Sequence, residues 1–339
     1  MRVNLYYLSD STTGGWVTFT RHLVYALEEA GVDTVLYKTR NRTEGFDRPF
    51  GYDLQYRNLA LDDAVSACRK RPSLILAIDK HHREQAAALV AAGSLLVVHD
   101  PAEFPHLKEI PLFDPGRTVV IRRSVQRAIP GSVYVPHPYR RRYKPGTFST
   151  GEGVACSVCR IDFDKNTTMI LDANRLLPEA RRVLIRGAEN RRYTRCKVLD
   201  KYPEWQQSTT QYAREEGIAS DLCHQHTYAV DLSVIKGDGG GTQYSFMEAA
   251  DAGAINVIHR NWLTGHRDDE MVPFPRPGAN CLAVGTAQEL VDLLDEDVSE
   301  ARRRRLVTGA DRLLSAHEPA NTASALLPLL RKTSHAANC

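Results

Sequence analysis

Short apolar runs rich in β-branched residues alternate along this chain with stretches whose apolar positions recur every three to four residues. The first kind predicts buried strands and the second amphipathic helices. "RVNLYYLS", "DTVLYKT", "SLILAID", "SLLVVHD" and "RTVVIR" read as strands, with "WVTFTRHLVYALEEAG", "LDDAVSACRKR", "HREQAAALVAAG" and "RSVQRAI" as the helices between and after them. That order, strand then helix then strand, predicts a parallel sheet with crossover helices. The alternation breaks at "PHPYRRRYKPGTFSTGEG", a stretch rich in Pro, Gly, Ser and basic residues, which reads as a domain junction. It restarts with "VACSVCR" (strand), "NTTMILDANRLLP" (helix) and "RRVLIRG" (strand), then "DLCHQHT" as the end of a strand. "GTQYSFMEAADAG" (helix), "AINVIH" (strand) and two late helices follow. The expectation is an α/β protein of two doubly wound, Rossmann-like domains facing across a cleft, at 1–145 and 146–320, with a C-terminal helix or tail at 321–339.

Composition narrows the class. At 339 residues the chain suits two domains, and its 42% hydrophobic and 25% charged residues are those of a globular protein. No apolar run is long enough to span a bilayer. The start, "MRVNLYYLSD", reads as a first strand rather than a signal peptide, so a cytoplasmic location is expected. Seven scattered cysteines argue for free thiols, and "CSVC" at 156–159 reads better as alternating positions of a buried strand than as half a zinc site. The net charge of +3 says little about partners, but "IRRSVQR" (121–127), "YRRRYK" (139–144) and "ARRRR" (301–305) are basic clusters. Such runs are solvated faces or phosphate-facing surfaces.

In open parallel sheets, ligands bind beyond the carboxyl ends of the strands. Four loops at such places carry chemistry. Gly14 and Gly15 let backbone amides approach a ligand at a helix start, or simply form a tight turn. His99 and Asp100 end a strand, where they either orient or deprotonate a hydroxyl, or serve as a cap and a surface imidazole. Arg160 and Lys165, in "CRIDFDKN", flank a loop leading into a helix whose positive end faces back, a geometry suited to a diphosphate. Finally, "KGDGGGTQYSFMEAADAG" joins a loop able to wrap a ligand (Asp238, Gly240, Gly241, Thr242, Gln243, Tyr244) to a helix carrying Glu248 among small and apolar residues. A carboxylate can accept two hydrogen bonds from a vicinal diol such as a ribose. No GK[ST] follows, so this is not a Walker loop.

Taken in order, the Gly-rich first loop, "HD", "VPHP", R-x4-K and the "E-A-x-x-x-G" helix resemble retaining GT-B glycosyltransferases that use nucleotide sugars. The resemblance implies that Arg160 and Lys165 hold the donor diphosphate and that Glu248 holds the nucleotide ribose, with a nucleotide sugar as co-substrate and neither cofactor nor metal required. Many members carry a second glutamate eight positions before the ribose-binding one, where this chain has Gly240. That departure keeps a sugar-nucleotide epimerase of the same fold open as an alternative. A narrower similarity, in "HD" and "YSFMEAADAG", is to bacteriophage DNA α-glucosyltransferases. It implies a hydroxymethylated pyrimidine in double-stranded DNA as acceptor, His99 and Asp100 near its hydroxyl, and Arg122, Arg123, Arg140 and Arg141 against phosphates. Saccharide, protein and small-molecule acceptors are the other possibilities.

Overall fold

The computed structural model describes residues 1–9, 14–39, 52, 54–79, 81–99, 103, 113–205, 217–234, 243–263 and 275–336. They form two compact units: Met1–Arg140 together with His317–Cys339, and Arg141–Ala316. The chain therefore passes between units twice, at 140/141 and at 316/317. The sequence reading put the break at 145/146 and set 321–339 apart as a tail. Instead, the last helix, α10 (Pro319–Ala336), belongs to the first unit and packs on its first helix, α1 (Gly15–Glu29).

The first unit is a seven-stranded, wholly parallel sheet. Its strands are β1 (Arg2–Leu8), β2 (Asp33–Thr39), β3 (Arg57–Leu59), β4 (Ser73–Ile78), β5 (Leu95–Val98), β6 (Thr118–Val120) and β7 (Val133–Tyr134), in the order 3-2-1-4-5-6-7. Parallel strands are covered on both faces, which is why β1 and β4 are apolar without alternation and almost entirely buried. Helices α2 (Leu61–Lys70), α3 (Arg83–Ala91) and α4 (Arg123–Ala128) link the strands. In α2, Asp62 and Asp63 sit in the first turn and Arg69 and Lys70 in the last, each complementing the helix dipole. Tyr6, Leu8, Ile75, Leu89, Val98 and Val120 meet in the core.

The second unit has five parallel strands: β8 (Gly153–Val158), β9 (Val183–Arg186), β10 (His226–Asp231), β11 (Ile255–His259) and β12 (Leu282–Val284). The order is 12-11-10-8-9, so the sheet reverses direction of growth between β8 and β10. Helices α5 (Thr167–Leu176), α6 (Ile218–Gln225), α7 (Tyr244–Asp251), α8 (Ala287–Asp295) and α9 (Glu300–Ser315) complete the layers. The stretch "DLCHQHT", expected as a strand end, is instead the last turn of α6 and the first two residues of β10. Ile161, Ile170, Val198, Val230, Val257 and Leu290 are among the core residues. Gly187, just after β9, permits a close approach: an added Cβ there would lie 1.7 Å from the Cys159 carbonyl oxygen.

Candidate active site

The carboxyl ends of the strands flanking a reversal of strand order are where doubly wound sheets bind ligands. In the second unit those ends are the loop after β8, which carries Arg160 and Lys165, and Leu232–Ser233 after β10. The two loops are sewn together. Val234 N–H donates to the Asp164 carbonyl at 2.8 Å, and the Asn166 side-chain amide donates to the Leu232 carbonyl at 3.0 Å. Asn166 holds a left-handed conformation (φ 46°) at the start of α5, a region asparagine tolerates better than most residues.

Lys165 is buried there. Its Nζ donates to Ser233 Oγ at 2.5 Å and to Gln243 Oε1 at 3.2 Å, and lies 3.7 Å from Asp231 Oδ2. An ammonium has three N–H bonds, and these two acceptors account for two of them among the described residues. Asp231, the last residue of β10, is buried as well. It accepts from Ser233 N–H (3.1 Å) and Ser233 Oγ through Oδ1, and from Ser245 Oγ (2.5 Å) through Oδ2. Burial alone would raise its pKa, but Lys165 first, then Ser233 and Ser245, outweigh that and hold the carboxyl below its usual range.

Arg160 differs in kind. Its side chain is 57% exposed, and among the described residues its guanidinium bonds only carboxylates of its own loop, Asp162 at 3.1 Å and Asp164 at 3.3 Å. Beside it the Phe163 ring is exposed, edge-on to Tyr193 with centroids 5.1 Å apart.

Glu248 lies one turn beyond Ser245 on α7, half-buried, with no hydrogen bond or ion pair among the described residues. The Asp231 and Asp251 carboxylates are near enough for their charges to act on it, and Asp251 is itself committed to the Arg142 backbone N–H at 2.7 Å. Burial, then the Asp231 and Asp251 charges, push the Glu248 carboxyl up to about 8. Gln243 and Tyr244 stand at the start of α7, while Asp238, Gly240, Gly241 and Thr242 lie outside the described residues.

In the first unit the reading also divides. Gly14, at φ 94°, precedes α1, Gly15 opens it, and no side chain caps it. His99 follows β5, buried against the edge of Phe19 (4.8 Å between centroids) and beside Trp16 (6.2 Å). Its Nε2 is 2.6 Å from the Leu76 carbonyl oxygen, which can only accept, so Nε2 carries the proton and Nδ1 is bare. Burial, with a further push from Arg122, lowers its pKa to about 4 against the opposing Leu76 bond. Asp100 lies outside the described residues.

Of the arginines read as nucleic-acid contacts, three are engaged internally. Arg123 stacks on Tyr134 at 4.0 Å and bonds Gln126, Arg140 stacks on Tyr25 at 4.3 Å beside Glu29, and Arg141 is paired with Asp311. Arg122 is half-buried, and its charge bears on both His99 and His137. Histidines with ligand-like spacing are also occupied: His82 bonds Asp79, His224 stacks on Tyr143, and His226 Nδ1 bonds the Leu222 carbonyl. No cluster of three or more metal-binding side chains occurs among the described residues.

Sequence reasoning missed four residues: Asp231, Ser233, Ser245 and Glu103. Asp231 went unread because β10 was placed too early; "YAVDLS", an apolar run closed by a carboxylate, was the available signal. Glu103 ties the end of β5 to α1, accepting from His99 N–H at 2.8 Å and from Trp16 Nε1 at 3.0 Å. Nothing local in the sequence marks that pairing.

No family model matches the sequence, and no curated protein sequence matches it. Solved structures do match its shape. An α-glucosyltransferase in complex with UDP-glucose and DNA containing an abasic site superposes with a TM-score of 0.69 at 11% identity, over 98% of this chain and 99% of that one. The chain has the GT-B fold. Anabaena HepE in complex with UDP and glucose superposes equally well, at 0.69 and 11% identity over 98% of this GT-B chain and all of that one. The pneumococcal O-GlcNAc transferase GtfA in complex with UDP and GlcNAc gives 0.60 at 10% identity, over 99% of each chain.

Proposed function

We propose that this GT-B chain is a retaining glycosyltransferase that moves a sugar from a nucleoside diphosphate sugar to an acceptor hydroxyl. The observation that carries the reading is the Lys165 ammonium, buried at the strand reversal and bonded to Ser233 and Gln243, within a site that also offers the Glu248 carboxyl, which has no hydrogen bond or ion pair among the described residues. As the glycosidic bond to the diphosphate breaks, negative charge grows on the leaving oxygen. A cation already fixed in a low-dielectric site stabilises that charge without reorganising. Arg160 exchanges its two loop aspartates for a phosphate, and Glu248 takes the ribose hydroxyls. Side chains and the α7 start supply the positive charge in this reading, so it requires no metal.

For the acceptor, a hydroxymethylated pyrimidine in DNA is supported by the DNA-bound α-glucosyltransferase structure. A saccharide, protein or small-molecule acceptor is the second reading, favoured by the internal engagement of Arg123, Arg140 and Arg141. One experiment separates them: incubation with UDP-glucose, UDP-GlcNAc and other nucleotide sugars, alongside hydroxymethylated duplex, ordinary duplex and free sugars, with products weighed by mass spectrometry. A hexose mass gained only by the hydroxymethylated nucleoside is the expected outcome. A free sugar isomer with no transfer would identify an epimerase, and no turnover of any donor would defeat the reading.

A further inference from the structure

We propose that Asp231 is a positioning residue of the donor site, acting through Ser233 on Lys165 and through Ser245 on α7, so that the loop after β8 and the Glu248 helix are held as one unit. This rests on the donor-site reading above. Asp231 makes the ammonium's environment without occupying it. Ser233 Oγ takes the direct 2.5 Å bond from Lys165, while the carboxylate stands 3.7 Å away and accepts from Ser233 N–H, Ser233 Oγ and Ser245 Oγ. Because Ser233 gives its own proton to Asp231, its lone pairs are turned to Lys165. That orientation ties the ammonium to the carboxylate through a hydroxyl rather than by direct contact.

On the other side, Ser245 is in the first turn of α7 and Glu248 in the next. The bond from Ser245 to Asp231 therefore fixes where the Glu248 carboxyl stands. A carboxylate is required at position 231 because all the groups it meets are donors. An asparagine whose N–H₂ took the place of Oδ2 would face the ammonium, which has no lone pair to accept from it. The ionisable groups surrounding the assembly are Cys159, Asp164 and Lys165 from the loop after β8, Cys223 from α6, and Glu248 and Asp251 from α7.

The test compares the full chain with Asp231→Asn, Ser233→Ala and, as a surface control, Asp297→Asn. UDP binding is followed by calorimetry between pH 6.5 and 9, and the Glu248 carboxyl by carbon NMR without ligand. Wild type and Asp297→Asn are expected to bind UDP alike. Asp231→Asn is expected to bind at least ~10-fold more weakly, with the Glu248 midpoint falling by about one unit as a like charge is removed. Ser233→Ala keeps the charge but loses the relay: a weakened affinity with an unmoved Glu248 midpoint is expected, and this variant decides the matter if Asp231→Asn does not fold. Unchanged UDP affinity in both site variants overturns the positioning role while leaving the donor site standing. A wild-type chain that binds no UDP overturns the donor site and the positioning role with it.

Discussion

The two carboxyl-edge sites solve opposite electrostatic problems. In the second unit, Lys165 and Asp231 are buried together, the ionised pair braced by hydroxyls, with Glu248 half-buried near them. In the first unit, His99 is kept neutral, packed on Phe19 and Trp16, with its proton fixed on the nitrogen facing Leu76. Fixed charge suits an anion such as a diphosphate, while a neutral ring with a bare nitrogen suits a hydroxyl. The contrast teaches that the same topological position, the loop after a parallel strand, is chemically neutral ground. What the loop can bind is decided by whether counter-charges are built in alongside.

The sharpest way to break this contrast is at the two cations of the second unit, which are unlike each other. Replacing Lys165 by Ala removes a charge-assisted bond worth about 1.5–3 kcal/mol, so UDP affinity is expected to fall ~10- to 100-fold. It also leaves Asp231 buried without its cation, which costs about 3–5 kcal/mol of stability. Arg160→Ala, from an exposed position, is expected to weaken UDP by about 10-fold while stability stays within ~0.5 kcal/mol of wild type, since exposed ion pairs contribute little. Calorimetry and thermal melts on the two variants check both halves. Equal stability losses would mean that the buried and exposed cations are not distinct.

Glu248→Gln probes the same unit more gently. If the carboxyl holds the ribose, the preference for UDP over its 2′,3′-dideoxy analogue is expected to shrink by ~2- to 10-fold, the range of one lost hydrogen bond. The variant also carries a stability signature. Glu248 is held protonated in the folded chain up to about 8, so between the ordinary carboxylate range and that value the folded state binds more protons than the unfolded one. Stability therefore falls as pH rises through this window. Glutamine removes that slope, and Glu248→Gln is expected to melt above wild type at pH 8.5, with the gap closing toward pH 5. A gap that does not change with pH would show that Glu248 is ionised throughout.

How much of this was legible beforehand follows from what each residue does locally. Arg160 and Lys165 stand five apart just after an apolar run, and Glu248 is an acid in a helix of small and apolar residues, so pattern alone exposes them. Asp231 was hidden because α6 runs into β10 with no intervening residue: Gln225 ends one and His226 begins the other. With no Gly or Pro to punctuate the change, "DLCHQHT" reads as a strand end, whereas β10 runs on to Asp231, four residues past that stretch. The ion pairs of Arg140 and Arg141 were hidden for another reason. Their partners, Glu29 and Asp311, are more than a hundred residues away, and a basic run reads the same whether it is solvated, paired or facing a polyanion. The assignment of α10 to the first unit is likewise a matter of tertiary packing on α1, which the apolar stripe of a helix does not specify.

The smallest expected effect on nucleotide affinity comes from the first unit, and it sharpens the comparison by its absence. His99→Phe is expected to leave UDP binding unchanged, because Arg160, Lys165, Asp231 and Glu248 of the proposed donor site all lie on other elements. What it changes is acid sensitivity. The folded chain holds His99 at about 4, below the ordinary imidazole value of 6.5, so between these limits the unfolded chain takes up a proton that the folded chain refuses. The stability this group confers is present above pH 6.5 and is lost as pH falls toward 4, on the order of 3 kcal/mol in all. Phenylalanine cannot titrate, but it forfeits the bond to the Leu76 carbonyl, so the variant starts less stable at pH 7.5. Its deficit is then expected to narrow steadily down to pH 4.5. His137 and His317, whose rings lie 6.0 Å apart and are also held below their ordinary range by burial, keep the rest of the acid slope in place. A deficit that stays constant over that interval would mean that His99 is solvated and charged at low pH, and the neutral site contrasted with Lys165 would not exist.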